Sequence, residues 1–302
     1  MSRAAILAAV ASLIAALAGC GGSKPEPRDE RAVLPASRVS LSAEDQAAWT
    51  DVAPDSAVVP VLVYDGVGAD EFARQMMLLD HAGFETISLD ELVRFVQRRP
   101  VNLPPHPLLL TFADARLDTW AGSDTILRKL GFNAVLFVEI GPIEKQDPEV
   151  LTWEELDRLE RSRWDVQFGS GTGDRRFRFG PGPGDVGEFY AYRGSEEVLG
   201  GWRERVFSDL TYGEQQLSHH IEGYRPLAFA PPEGNYGQVA TNDRHIPREL
   251  LARALLSFDV VFTQDRSGFV KPGSGNPLGR IEVTPRVSEP ALLAVLAGAT
   301  SR

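Results

Sequence analysis

The sequence predicts an α/β fold, a distorted barrel of the (β/α)7 type that covers residues 58–298. Short apolar segments alternate with segments of helical periodicity, which indicates a mainly parallel sheet. The alternation continues for about seven units, and that many consecutive units indicate a closed or nearly closed barrel. We find no internal repeat or second domain in this region, and a hydrophobic content of 43% is sufficient for a large core.

The first half of the barrel region has helices whose ends carry clear sequence signals. Ser88 or Asp90 is a candidate N-cap, Thr152 with Glu155 forms a capping-box pattern, and Gly131 follows a helix as a C-terminal stop. The predicted strands cover residues 58–64, 86–88, 107–112, 134–139 and 165–169, and the predicted helices cover 70–82, 90–96, 118–130 and 152–163.

The second half is less regular. It has predicted strands at 227–231, 259–263 and 280–283, and predicted helices at 196–222, 247–257 and 289–296. A Gly/Pro-rich surface loop at 180–187 contains a match to the G-x-G-x-x-G pattern, from Gly182 to Gly187. A dinucleotide site requires this pattern between a strand and a helix. Because the match contains Pro and follows no strand directly, we reject this interpretation.

The N-terminus predicts export and lipid attachment. Arg3 precedes an apolar run at 4–17, which is too short to span a bilayer but suits a signal peptide. The run ends in Leu-Ala-Gly followed by Cys20, the only Cys, which resembles the lipobox of bacterial lipoproteins. We therefore expect a signal peptide at 1–19, and a lipidated Cys with a flexible linker at 20–57. Gly21 after the Cys favours the outer membrane, facing the periplasm.

The charge of the chain argues against nucleic acid as a partner. The formal net charge is −11, and removal of Arg3 with the signal peptide makes it more negative. Binding to a phosphate backbone depends mostly on Lys and Arg, so we expect no nucleic-acid partner. The membrane is an expected partner through the lipid anchor alone.

Five short motifs occur in a fixed order. The first four, residues 61–64, 110–115, 168–174 and 228–236, lie at or just after the ends of predicted strands, where barrel sites are built. The last consists of residues 268–272 with 278–283. The order and the residues of these motifs resemble those of the polysaccharide deacetylase (NodB-homology, carbohydrate esterase 4) family. The resemblance is greatest to its exopolysaccharide poly-N-acetylglucosamine N-deacetylase branch. The resemblance extends over about residues 58–296 and implies a NodB-like barrel.

The resemblance also implies a chemistry. In that family the second motif reads Thr-Phe-Asp-Asp-Gly, in which the first Asp is the general base and the second binds a metal. The third motif supplies two metal-binding His residues. A metal on two His and one carboxylate keeps a position open for water, and the base takes the proton of that water. The family thus implies hydrolysis of a non-peptide C–N bond on an N-acetylated glycan.

This sequence departs from the pattern at most of those positions. Ala113 stands at the base position, Gly171 at the first metal His, and Arg175 or Arg176 at the second. Asp114 is the one metal-ligand position that keeps a suitable residue. A methyl group accepts no proton and an arginine binds no cation, so we predict a catalytically degenerate protein without a cofactor.

The same motifs predict a groove for a ligand. Its expected residues are Asp65, Thr172, Asp174, Arg176, Tyr190, Trp202, Pro232 and Glu233. The aromatic residues Phe189, Tyr190, Tyr192 and Trp202 are candidates for stacking on sugar rings, although they could instead pack the insert onto the barrel. We further predict that Arg175 or Arg176 pairs with the Asp114 carboxylate in place of a metal.

Two functional hypotheses follow. The first is a pseudoenzyme that binds a polysaccharide, N-acetylated or partly deacetylated, or an export partner. The second is an active deacetylase that uses Zn²⁺ or another divalent cation at a relocated site. Candidate ligands for a relocated site are the five histidines (His81, His106, His219, His220, His245) and an all-oxygen set (Asp65, Asp114, Asp174, Glu233). Ser170 is a weak candidate nucleophile, because the sequence places no partner His.

Overall fold

The computed structural model describes residues 58–172 and 176–297. Its strands are β1 (Val59–Tyr64), β2 (Glu85–Thr86), β3 (Pro107–Phe112), β4 (Ala134–Glu139), β5 (Trp164–Ser170), β6 (Phe177–Arg178), β7 (Val186–Gly187), β8 (Ala228–Phe229), β9 (Val260–Thr263), β10 (Phe269–Val270), β11 (Leu278–Gly279) and β12 (Ile281–Val283). Its helices are α1 (Ala69–His81), α2 (Leu89–Val96), α3 (Leu117–Leu130), α4 (Ile140–Glu144), α5 (Trp153–Glu160), α6 (Leu199–His220), α7 (Ile246–Ala254) and α8 (Glu289–Ala297).

The main sheet curls into a nearly closed barrel. Parallel pairing runs in the order β1-β3-β4-β5-β8-β9-β11, and β12 pairs in parallel with β1. Strands β11 and β12 are consecutive in the chain and are separated by Arg280 alone. This extended segment therefore bridges the last and first strands of the ring. The prediction of a distorted (β/α)7-type barrel is confirmed.

The two faces of the sheet bury different sets of side chains. On β1, Val59 and Val61 belong to one apolar cluster, whereas Leu62 and Tyr64 belong to another. The first cluster contains inward-facing strand residues and the apolar face of α2, which packs against them. The second lies between the sheet and the outer helices. Alternate strand residues face opposite sides of a sheet, which explains the division.

The helix ends follow the local signals of the sequence. Ser88 and Glu91 form a capping box at the start of α2, and Thr152 and Glu155 form one at the start of α5. Gly131 ends α3 with a φ of 74°, a left-handed conformation that favours glycine. Each of these signals depends on residues within one helical turn, so tertiary contacts are not needed to recognise them.

Other elements differ from the sequence prediction. The predicted helix at 196–222 is shorter as α6, and the strand predicted at 227–231 contains only Ala228 and Phe229 in regular pairing. The predicted surface loop at 180–187 includes β7, which forms an antiparallel hairpin with β6. Helix α4 and strand β10 were not predicted, because five and two residues are too short for periodicity to reveal.

Membrane crossing is not supported by any described helix, since none is long and apolar enough to span a bilayer. The predicted signal peptide and the linker with Cys20 lie outside the described residues, so the predictions about them remain predictions.

Candidate functional site

A pocket opens at the carboxyl ends of the barrel strands. Asp65 follows β1, Ala113 follows β3, Glu139 ends β4, and Gln264 follows β9. The remaining wall residues are Gly169, Ala230, Pro231, Pro232, Glu233 and Arg280. Because parallel strands end at one edge of the sheet, side chains far apart in sequence meet here. Of the predicted groove residues, the wall includes Asp65, Pro232 and Glu233.

The base position of the resemblance forms part of the pocket wall. Ala113 is half-buried there, and its methyl group offers no proton acceptor. The next residue, Asp114, is also half-buried, and its Oδ1 accepts a hydrogen bond from the backbone N–H of Arg116 at 3.3 Å. The wall therefore has an apolar atom where the family chemistry requires a carboxylate.

The position of the first metal histidine is enclosed by helix α6. The backbone N–H of Gly171 donates a hydrogen bond to Oδ2 of Asp209 on α6, at 3.0 Å. A Cβ atom added to Gly171 would lie 2.7 Å from Oδ1 of Asp209 and 2.9 Å from its backbone oxygen. Both distances are too short for van der Waals contact. A side chain at position 171 is thus incompatible with the observed position of α6.

Asp209 belongs to a buried polar group next to Gly171. The Tyr190 hydroxyl also donates to its carboxylate, and the Trp202 indole N–H donates to the Tyr190 carbonyl at 3.2 Å. Burial raises the pKa of Asp209, while the hydrogen bonds from Tyr190 and Gly171 oppose that rise. Burial also raises the pKa of Tyr190, and the nearby Asp209 charge raises it further. The neutral phenol is therefore the donor in this pair.

This burial corrects the predicted aromatic groove. Tyr190 and Trp202 have no exposed surface, and Phe189 is 7% exposed, so these side chains cannot stack on a glycan. They pack the insert between β5 and α6 onto the barrel instead. Tyr192 is half-buried and stacks on Phe179, with ring centroids 4.6 Å apart. The aromatic pattern was visible in the sequence, but burial depends on how the insert folds back.

The third motif is only partly described. Thr172 and Arg176 are exposed, and neither lines the pocket. Arg178 donates from Nη1 to the Gly182 carbonyl at 3.0 Å, within the β6–β7 hairpin. Asp174 and Arg175 lie outside the described residues. The pairing of Asp114 with Arg175 or Arg176 therefore stays a prediction.

The residues of the described regions do not fit a metal. No group of three His, Cys, Asp or Glu side chains within 58–172 and 176–297 lies close enough to hold one. None of the five histidines lines the pocket. His245 hydrogen-bonds Asp243, and His220 stacks on Trp153 with ring centroids 4.4 Å apart. The described part of the proposed all-oxygen set likewise forms no such group.

Three polar or charged residues of the pocket wall were not among the predicted groove residues. Glu139, Gln264 and Arg280 lie at strand ends, but they match no motif of the resemblance with a chemical role. Their position at the ends of strands was the only signal in the sequence that could have identified them.

The groove residue Glu233 also has an unexpected backbone conformation, with a φ of 55° in a short 3-10 turn. Non-glycine residues rarely adopt this conformation, and it often marks a functional site.

Solved structures with the same fold include two named as deacetylases. A de-N-acetylase from Aggregatibacter actinomycetemcomitans has a TM-score of 0.68 at 14% identity, covering 79% of this chain and 99% of that one. IcaB from Ammonifex degensii has a TM-score of 0.62 at 21% identity, covering 80% and 98%. The Streptococcus pyogenes deacetylase PplD, solved with acetate, has a TM-score of 0.60 at 18% identity, covering 79% and 98%. No protein-family model and no curated protein matches the sequence.

Proposed function

We propose that this protein is a lipid-anchored, catalytically inactive relative of the polysaccharide deacetylases. It binds a polysaccharide, or a partner that exports one, through the former catalytic groove, in exopolysaccharide or cell-envelope metabolism. The observation that carries the proposal is the enclosure of position 171 by Asp209 and the backbone of α6. The space that a metal-binding side chain would need at this position is occupied by the fold itself.

Two further observations support inactivity together with binding. Ala113 replaces the general base in the pocket wall, so a bound water has no carboxylate at that point to take its proton. The pocket itself is retained, with polar groups from several strands around small apolar residues. A site that keeps its concavity but lacks its acid–base and metal groups suits binding rather than turnover.

The proposal predicts that the purified full-length protein retains no zinc after dialysis and deacetylates N-acetylglucosamine oligomers at the background rate. The physical reason is that one carboxylate, Asp114, does not make a zinc site. Elemental analysis gives the metal content, and release of acetate gives the rate, with an active deacetylase as the positive control. Asp114→Asn should change neither quantity. Stoichiometric zinc, or turnover that Asp114→Asn abolishes, would show an active enzyme instead.

An active metal-dependent deacetylase with a relocated site is the second candidate. It is favoured by one observation, the presence of Asp114 in a fold that is shared with solved deacetylases. In that case Asp174, the candidate ligand that lies outside the described residues, would have to complete the site, because the described residues hold no group of three suitable side chains. The experiment above separates the two candidates.

Lipid attachment at Cys20 leads to a separate prediction. Cys20→Ser should release the protein from the membrane fraction, because the thiol that carries the first acyl chain is then absent. Membrane fractionation and mass spectrometry of the N-terminal peptide measure this, and Gly22→Ala serves as the matched control that should stay anchored. A Cys20→Ser protein that remains membrane-bound, with the same processing site, would refute the lipid anchor.

Sorting to the outer membrane should be lost in the Gly21→Asp variant.

A further inference from the structure

Arg280 is a buried cation at the closure of the barrel. It lies between β11 and β12, its backbone N–H donates to the Thr263 carbonyl at 2.9 Å, and its side chain is 3% exposed. The guanidinium carbon lies 5.4 Å from the ring centroid of Phe137 and 5.9 Å from that of Phe262. Both phenylalanines belong to the interior cluster of the barrel. The side chain therefore projects inward, over the rings that fill the barrel beneath the pocket.

The Arg280 guanidinium has donors without acceptors. Its Nε and Nη1 have no hydrogen-bond partner among the described residues. Burial lowers the pKa of Arg280 to about 10, and Glu282 is the carboxylate that opposes this effect. The two aromatic rings attract the cation weakly, and they accept no N–H hydrogen bond of ordinary strength. Buried charged groups are normally paired and hydrogen-bonded, so these free donors call for a partner.

The surroundings of Arg280 define what kind of partner fits. Arg280 and Glu139 are the less exposed charged groups of the pocket, whereas Asp65 and Glu233 are exposed. Apart from Gln264, the other wall residues are small or apolar, namely Ala113, Gly169, Ala230, Pro231 and Pro232. An acceptor that reaches Arg280 thus leaves bulk water, where a charge-assisted hydrogen bond is strengthened. Three carboxylates around the pocket would repel a simple polyanion, but they accept hydrogen bonds from hydroxyl groups.

We propose that the pocket binds the carboxylate of an acidic saccharide, with the carboxylate on the Arg280 guanidinium and the sugar hydroxyls donating to Asp65, Glu139 or Glu233. The carboxylate provides the missing counter-charge, and the hydroxyl groups make the acidic wall favourable. The saccharide part rests on the proposed function, whereas the carboxylate part rests on Arg280 alone. A uronate unit in a polysaccharide meets both requirements.

The test is an NMR titration of the isotope-labelled full-length protein with methyl glucuronoside. Saturable shifts are expected at the amides of Ala113, Gly169 and Glu233. The matching glucuronamide, which is neutral and nearly the same shape, should bind at least tenfold more weakly. This comparison uses the native protein, so it does not depend on any variant folding.

Two variants test whether the glucuronoside binds at Arg280. Arg280→Met removes the charge and keeps a long apolar side chain, and we expect it to weaken glucuronoside binding at least tenfold. Arg178→Met removes the same charge from the exposed β6–β7 hairpin and should leave binding unchanged. Equal weakening by both variants would mean general charge attraction and would overturn the proposal. Equal binding of glucuronoside and glucuronamide would also overturn it.

The remaining outcomes separate this proposal from the proposed function. Acetate that binds as tightly as the glucuronoside would overturn the saccharide part, because the hydroxyl groups would then contribute nothing. N-acetylglucosamine oligomers that bind in the pocket, without any binding of the glucuronoside, would overturn this inference and leave the proposed function intact. Failure of every saccharide to bind would count against both.

Discussion

Gly171→His should destabilise the protein by about 3 kcal/mol and should create no metal site. The added Cβ would lie 2.9 Å from the Asp209 backbone oxygen, so rotation of the Asp209 side chain cannot relieve the whole clash. Helix α6 or strand β5 would have to move, which disrupts packing along both. Urea denaturation measures the loss, and elemental analysis after dialysis measures the metal.

Gly171→Ala is the informative companion to this variant. Alanine adds only the Cβ atom, and it should account for a large share of the lost stability because the Cβ itself makes the clash. A Gly171→His protein within about 0.5 kcal/mol of the native stability would show that α6 gives way easily. The fold would then not be what excludes a metal ligand at this position, and the main support for inactivity would be gone.

Gly213→Ala should have a similar or larger effect, with a loss of about 3 kcal/mol. Gly213 lies on α6 against β5, and a Cβ there would lie 1.9 Å from Cε2 of Phe168, a fully buried ring. Alanine is favoured over glycine in a helix by about 1 kcal/mol, which is too little to offset this overlap. Thermal or urea unfolding gives the measurement.

The matched control for Gly213→Ala lies on the same helix. Gly200 has no atom within 4 Å of an added Cβ, so Gly200→Ala should be neutral or stabilising by about 0.5 kcal/mol. Opposite signs for the two Gly→Ala changes are the expected result. If Gly213→Ala is also stabilising, the close approach of α6 to β5 is not required by the fold.

The two predictions concern one structural feature. Asp209 and Gly213 are four residues apart on α6 and therefore lie on the same helix face. Gly213 lets α6 approach β5 closely, and the same approach brings the Asp209 carboxylate to the backbone of Gly171. The absence of a side chain at position 171 and the close packing of α6 are thus physically linked in this protein.

Arg280 shows a limit of motif comparison. The sequence placed it in a strand motif without any role, because nothing within a few residues marks it as unpaired. Its burial over Phe137 and Phe262 results from barrel closure, which brings Arg280 close to Phe137, more than a hundred positions away in the chain. Long-range closure is not encoded in local periodicity, so the sequence alone could not reveal an orphan cation there.

The sequence by itself determined the alternation of strands and helices, the capping boxes at Ser88 and Thr152, and the chemical identity of Ala113. These features depend on local hydrogen bonding, periodicity and side-chain type, which are present in the linear chain. Only the tertiary structure decided that Tyr190 and Trp202 are buried, because burial depends on which elements pack over a side chain. The packing of α6 against Gly171 and the position of Arg280 in the pocket wall were decided in the same way, by contacts between segments distant in sequence.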